Sequence, residues 1–193
     1  QGFSTFVNPP DVALTLEGNH RPGHFQGVCT VVLKLFHAVP ATHAYFGMKD
    51  YQQFKVISAM VADLDLGLSV VGCDIFREPD GLAMSSRNRY LSSAERAQAL
   101  VIQRSLSKAL ASWREGQSVR QIEEQLHADL LSGTDGAPGL DRIDYAKIVD
   151  ADTLEPTRSM IPVAGIALVA GFVGKTRLID NQLLPRRERP ADR

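Results

Sequence analysis

The rhythm of apolar and polar positions divides the chain into two regions. Residues 1–15 carry no clear period, and Pro9-Pro10 marks an extended or turning segment. Glu17 to Gly27 reads as a loop rich in Gly, His and Pro. Val28, Val32, Leu35, Phe36 and Val39 then share one helical face, which predicts a helix over 27–39 ended by Pro40. Ala44-Tyr45-Phe46 reads as a short strand leading to Gly47. A second helix is expected over 50–64, with Phe54, Ile57, Val61 and Leu64 as its core stripe. Leu68 to Phe76 is a near-continuous apolar run with one charge, Asp74, the pattern of a strand buried on both faces. Helix, strand, helix, strand makes residues 1–84 the tail of a doubly wound α/β domain.

Beyond Asn88 the pattern changes. Ser92 followed by Glu95 is a capping box, and the helix it opens runs to Glu115 with Gly116 just past its end. Ser118 and Gln121 repeat the box for a helix over 119–131, closed by Gly133. Strands are expected over 143–149 and 166–173, with a third short one over 177–181. Residues 85–182 therefore predict a small α+β domain. Residues 183–193 read as an exit and a disordered tail, since Pro185 to Arg193 holds four Arg, two acids and no large aliphatic.

Composition narrows the classes. The 193 residues are 44% apolar with a net charge of −1, which argues against a nucleic-acid platform and its basic face. No run of 18 apolar residues predicts a membrane span. Cys29 and Cys73 form no CxxC pair and sit in apolar runs, so both are expected to be buried, inert thiols of a reducing cytosol, with a disulfide or metal site the lesser reading. The first residue is Gln1 rather than Met, and the expectation is a fragment, a processed form or an incomplete chain.

Two strand-to-helix junctions carry the candidate chemistry. In Asp80-Gly81-Leu82-Ala83-Met84-Ser85-Ser86-Arg87-Asn88, two hydroxyls and a guanidinium fit phosphate oxygens, although a solvated helix entry fits the same residues. In Phe46-Gly47-Met48-Lys49-Asp50-Tyr51-Gln52-Gln53, Gly47 allows close backbone approach and Lys49 is a mobile cation. Asp50 reads as the cap of the next helix, as a ligand contact, or as both. Two such junctions in successive β-α units can face one ligand at the carboxyl edge of a parallel sheet. His20 and His24 are four apart, but Pro22 and Gly23 between them make a helical metal pair a poor reading.

These stretches, with Leu16-Glu17-Gly18, Arg21-Pro22-Gly23-His24-Phe25 and Arg177-Leu178-Ile179-Asp180-Asn181, resemble the pantoate–β-alanine ligase (pantothenate synthetase) family of the nucleotidyl-transfer superfamily. The resemblance runs to about Leu184. It implies the remnant of a doubly wound, Rossmann-like parallel sheet followed by the small α+β domain. It also implies condensation of pantoate with β-alanine through a pantoyl adenylate, using ATP and Mg²⁺, in a cytoplasmic homodimer with no nucleic-acid or membrane partner. Lys49, Ser85, Ser86 and Arg87 are the implied catalytic groups. Gly47, Met48, Asp50, Phe76 and Met84 join them around ATP, Gln53 takes pantoate, and Arg21 and His24 lie beside the ligand.

The chain departs from the family in two respects. Met48 stands where the family usually has Glu, tolerable if the position contributes backbone and costly to ATP affinity if its carboxylate tunes Lys49. The family's two-histidine motif and a further pantoate-binding glutamine have no counterpart here, so the chain alone is expected to show no turnover. The other readings are a different nucleotidyl-transferase of the superfamily and a non-catalytic remnant.

Overall fold

The computed structural model describes residues 2–156 and 164–186. The chain forms two compact units, Gln1–Asp74 and Ile75–Arg193.

The first unit opens with a 3₁₀ turn, Asp11–Ala13, and a short helix α1, Glu17–His20. Helix α2 spans His24–Ala38, strand β1 His43–Gly47, helix α3 Tyr51–Asp63 and strand β2 Ser69–Cys73. The two strands pair in parallel, from His43 opposite Ser69 to Gly47 opposite Cys73, with α3 as the crossover. Phe25, Cys29, Val56, Ile57, Met60 and Val61 form the core.

Several expectations for this unit are corrected. The stretch expected as a loop over Glu17 to Gly27 is largely helical. Gly23 takes the left-handed conformation at φ 78°, which lets α2 start at His24. The stripe α2 buries begins at Phe25 and Cys29, so Leu35 and Val39 on the adjoining face are exposed. Leu64 is exposed because α3 ends one residue earlier. Strand β2 stops at Cys73, and its residues are exposed or half-buried rather than enclosed on both faces. Cys73 is accordingly exposed, whereas Cys29 is fully buried.

The second unit begins with a tight hairpin-like loop in which Arg77 bridges Ala83 and the Met84 N–H donates to the Phe76 carbonyl at 2.9 Å. Leu82, 5% exposed, joins the unit's core, and Arg77 is tied to Asp180. These contacts draw residues 75–84 into this unit, so the division falls at Asp74 rather than after Met84. A 3₁₀ helix, Ser86–Tyr90, precedes helix α4, Ser93–Arg114, and helix α5, Val119–Ser132.

Both capping boxes form as the sequence predicts, Ser92 with Glu95 and Ser118 with Gln121. Past the end of α4, Gly116 at φ 86° allows a Schellman closure. Its N–H donates to the Trp113 carbonyl, and the Gln117 N–H to that of Ser112. Strands β3, Arg142–Asp150, β4, Gly165–Val173, and β5, Thr176–Leu184, make an antiparallel sheet in that order. Its apolar face shares one core with α4 and α5, including Ile102, Leu106, Trp113, Ile122, Leu126, Ile148, Val169 and Leu184.

The third strand is longer than expected. Leu183 and Leu184 pair with Ile166 and Gly165, and Leu184 is fully buried. The exit therefore begins later than residue 183, and the Trp113 indole N–H holds the Pro185 carbonyl at 2.8 Å. Residues 187–193 of the expected disordered tail lie outside the described residues.

Candidate active site

In the first unit, Gly47 ends β1 and the 3₁₀ turn Met48–Asp50 carries the candidate cation into α3. Lys49 has a side chain only 15% exposed, with Nζ 3.4 Å from Asp50 Oδ2. Asp50 sits at the N-cap position of α3 but makes no side-chain cap bond there, because its backbone (φ −92°, ψ 60°) departs from the extended shape a cap residue needs. Its carboxylate faces Lys49 instead. Gly47 has an ordinary φ of −68°, and a methyl built on it would meet nothing within 4 Å. Among the described residues, neither backbone geometry nor packing requires glycine there.

The adjacent glutamines behave differently. Gln52 is 4% exposed and spends its whole amide on the backbone of residues 12–17. Its Oε1 accepts from the Glu17 N–H at 2.9 Å, and its Nε2 donates to the carbonyls of Val12 at 2.9 Å and Thr15 at 2.8 Å. These three bonds bracket Leu16, a non-glycine residue at φ 51° and ψ −117°. Gly18 belongs to the same turn: a methyl on it would lie 1.7 Å from the Ala13 carbonyl oxygen. Gln53, one residue on, is half-buried, and among the described residues its side-chain amide holds no hydrogen bond.

Arg21 and His24 do come together. Arg21 Nη1 donates to His24 Nε2 at 3.2 Å and stands 3.6 Å from the buried Glu17 carboxylate. His20 ends α1 and His24 begins α2, so the two histidines fall on different helices.

In the second unit, Ser85 caps the 3₁₀ helix, its Oγ accepting from the Arg87 N–H at 3.2 Å. The hydroxyl keeps its own proton for another acceptor. Ser86 and Arg87 are exposed, as are Phe76 and Met84 on either side of the hairpin. Beneath the loop lie Glu78, Asp80, Asn88 and Arg96. Asn88 and Arg96 hold the Glu78 carboxyl below its ordinary value, and Arg96 does the same to Asp80. Asp80, the acid closest in sequence to the loop, is thus occupied: Arg96 Nε donates to it at 2.7 Å and the Leu82 N–H at 3.2 Å. Among the described residues no group of three or more His, Cys, Asp or Glu is placed to hold a metal ion.

Residues 1–183 match the family described as pantoate-beta-alanine ligase. A pantothenate synthetase of Rhodopirellula baltica is 52% identical over 184 residues, covering 95% of this chain and 62% of that protein. The chain belongs to the pantoate-beta-alanine ligase family. The crystal structure of pantothenate synthetase from Thermus thermophilus superposes with a TM-score of 0.86 at 41% identity, covering 94% of this chain and 64% of that one. The pantoate-beta-alanine ligase of Francisella tularensis, solved with β,γ-ATP and β-alanine, is 28% identical with a TM-score of 0.66, over 93% of this chain and 58% of that one. The chain thus spans less than two-thirds of the length of these relatives. Its nucleotidyl-transferase-like fold, a parallel α/β part followed by a small antiparallel sheet, is the one the sequence predicts.

Within this chain, Met48 lays its side chain over the sheet. A methyl on Gly72 would lie 3.0 Å from its sulfur. The position thus serves packing on β2. Three groups escaped the sequence reading: Gln52, the Arg77–Asp180 pair, and the Glu78–Asn88–Arg96 network. The run Gln52-Gln53 carried a signal for two amides but none for which of them turns inward.

Proposed function

We propose that the protein condenses pantoate with β-alanine at the expense of ATP, through a pantoyl-adenylate intermediate. The observation that carries this reading is the family match over residues 1–183. In the first step the pantoate carboxylate attacks the α-phosphorus and pyrophosphate leaves. In the second the β-alanine amine attacks the activated carbonyl and AMP leaves.

Lys49 supplies the positive charge for the phosphates. Its low exposure strengthens that charge, since fixed cations in a water-poor site act on the developing negative charge without reorganising. The Ser85 and Ser86 hydroxyls and the Arg87 guanidinium are donors for phosphate oxygens. The open space over Gly47 suits close approach of the nucleotide to the backbone at the end of β1. Asp50 orients Lys49. Phe76 and Met84, exposed beside the loop, supply apolar surface to the adenine. Gln53 offers its amide to the pantoate carboxylate and hydroxyl, and Arg21 with His24 flanks the ligand. Mg²⁺ enters with the ATP phosphates rather than in a protein cage. A homodimer and a cytoplasmic setting belong to the same reading and rest on the family resemblance.

The test is an assay of the natural polypeptide. Pantoate should elicit pyrophosphate release from ATP, and β-alanine should then elicit AMP release. Pyrophosphate release that ignores pantoate would favour another nucleotidyl-transferase. ATP binding by residues 1–193 with no turnover under any substrate combination in the natural polypeptide would favour the non-catalytic reading.

A further inference from the structure

The Ser85–Arg87 loop is fastened from below by side chains that are not among its candidate ligand groups. Asn88 follows Arg87 directly and is 7% exposed. Its Nδ2 donates to Glu78 Oε1 at 2.6 Å and to the Ala83 carbonyl at 3.0 Å, while its N–H donates to the Ser85 carbonyl at 3.0 Å. Glu78 is itself gripped: its Oε2 accepts from Arg96 Nη2 at 2.5 Å, and its N–H donates to the Leu82 carbonyl at 2.8 Å. The other edge of Arg96 reaches Asp80. Arg96 stands in the first turn of α4, where the Ser92–Glu95 box fixes the helix start. A chain of charge-assisted bonds thus runs from a rigid helix, through the Glu78 carboxylate of the 76–84 hairpin, to the residue that closes the loop, with Asp80 holding the other edge of Arg96.

We propose that Glu78 is a positioning residue for phosphate recognition, holding the Ser85–Arg87 loop through Asn88 and held in turn by Arg96. This rests on the ATP reading given above. A loop ordered only on binding pays conformational entropy at that moment, whereas a loop already fastened does not. Glu78 and Asn88 act on ATP affinity without touching ATP.

The test is ATP titration calorimetry on the 193-residue chain and three variants, Asn88→Asp, Glu78→Gln and the double Glu78→Gln/Asn88→Asp. Asn88→Asp sets two carboxylates face to face and should weaken ATP about tenfold, on the order of one ordering penalty. Glu78→Gln keeps an oxygen toward Asn88 and should lose less. The double variant restores an amide opposite an acid but not the bond to the Ala83 carbonyl, and should regain part of the affinity. Tryptic cleavage after Arg89 in the folded chain should quicken in Asn88→Asp and slow again in the double variant. A residue that only stabilises the fold would shift the thermal midpoint and leave the affinity of the folded chain unchanged.

If the unaltered chain binds ATP and every folded variant binds it equally, Glu78 has no positioning role. The same holds if the double variant is no better than Asn88→Asp. If the unaltered chain binds no ATP, the nucleotide reading of the loop falls, and this proposal with it.

Discussion

Arg77 and Asp180 meet fork to fork across 103 residues of sequence, with Nη1–Oδ2 at 2.7 Å and Nη2–Oδ1 at 3.1 Å. Asp180 is 4% exposed on β5, and Arg77 Nη1 also reaches the Gly81 carbonyl at 3.2 Å. The pair fastens the hairpin before the serine-arginine loop to the antiparallel sheet. Asp180→Ala strands a part-buried guanidinium and should cost about 3 kcal/mol. Urea unfolding of the second unit measures this, and a loss well under about 1 kcal/mol would show that the pair does not fasten the hairpin.

Gln52→Ala removes one buried and two part-buried hydrogen bonds at once and leaves the Glu17 N–H and two carbonyls without their partner. The expected loss is about 2–4 kcal/mol in the first unit. Hydrogen exchange at Glu17 and around the Leu16 turn should accelerate before the rest of the unit opens. Unchanged exchange there would show that the strained turn holds without the amide.

Acid should release the clamp under the loop. Glu78 and Asp80 both titrate below their ordinary values of 4.5 and 3.8 in the folded chain, Glu78 chiefly through Asn88 and Asp80 chiefly through Arg96. Groups with lowered folded values stabilise the fold above their ordinary values, and that stability is lost as pH falls through the lowered ones. The thermal-midpoint gap between the unaltered chain and Glu78→Gln should therefore be full at neutral pH and close on acidification below 4.5. A gap independent of pH would contradict the assignment.

The two thiols should separate cleanly. Cys73 is exposed at the end of β2. Cys29 is buried, and burial pushes its thiol up to about 11. A neutral thiol reagent should modify one cysteine quickly in the folded chain and the second only in denaturant. Two fast equivalents would place Cys29 at the surface.

What was legible in the sequence was local. The boxes at Ser92 and Ser118 and the glycine after Glu115 fix helix ends from residues a few positions apart, and α4 and α5 follow the prediction closely. Strand β5 runs to Leu184, past its expected end at Asn181, and only pairing with β4 reveals its full length. The apolar run before Phe76 suggested an enclosed strand, but hydropathy cannot say what covers it, and Cys73 is exposed. At the candidate site, residue type pointed to Lys49 and the Ser85–Arg87 loop. The non-local ties that hold such groups, Arg77 to Asp180 and Gln52 to Thr15, left no spacing to read.

On the proposed function, Lys49 and Arg87 each act on phosphate oxygens of ATP. The most direct measurement of this is pyrophosphate displacement of bound ATP from the 193-residue chain, compared with Lys49→Ala and Arg87→Ala. Each substitution should weaken both ATP and pyrophosphate by about tenfold or more, while leaving the affinity for adenosine unchanged. Pyrophosphate that binds both variants as tightly as the unaltered chain would show that neither cation serves the phosphates.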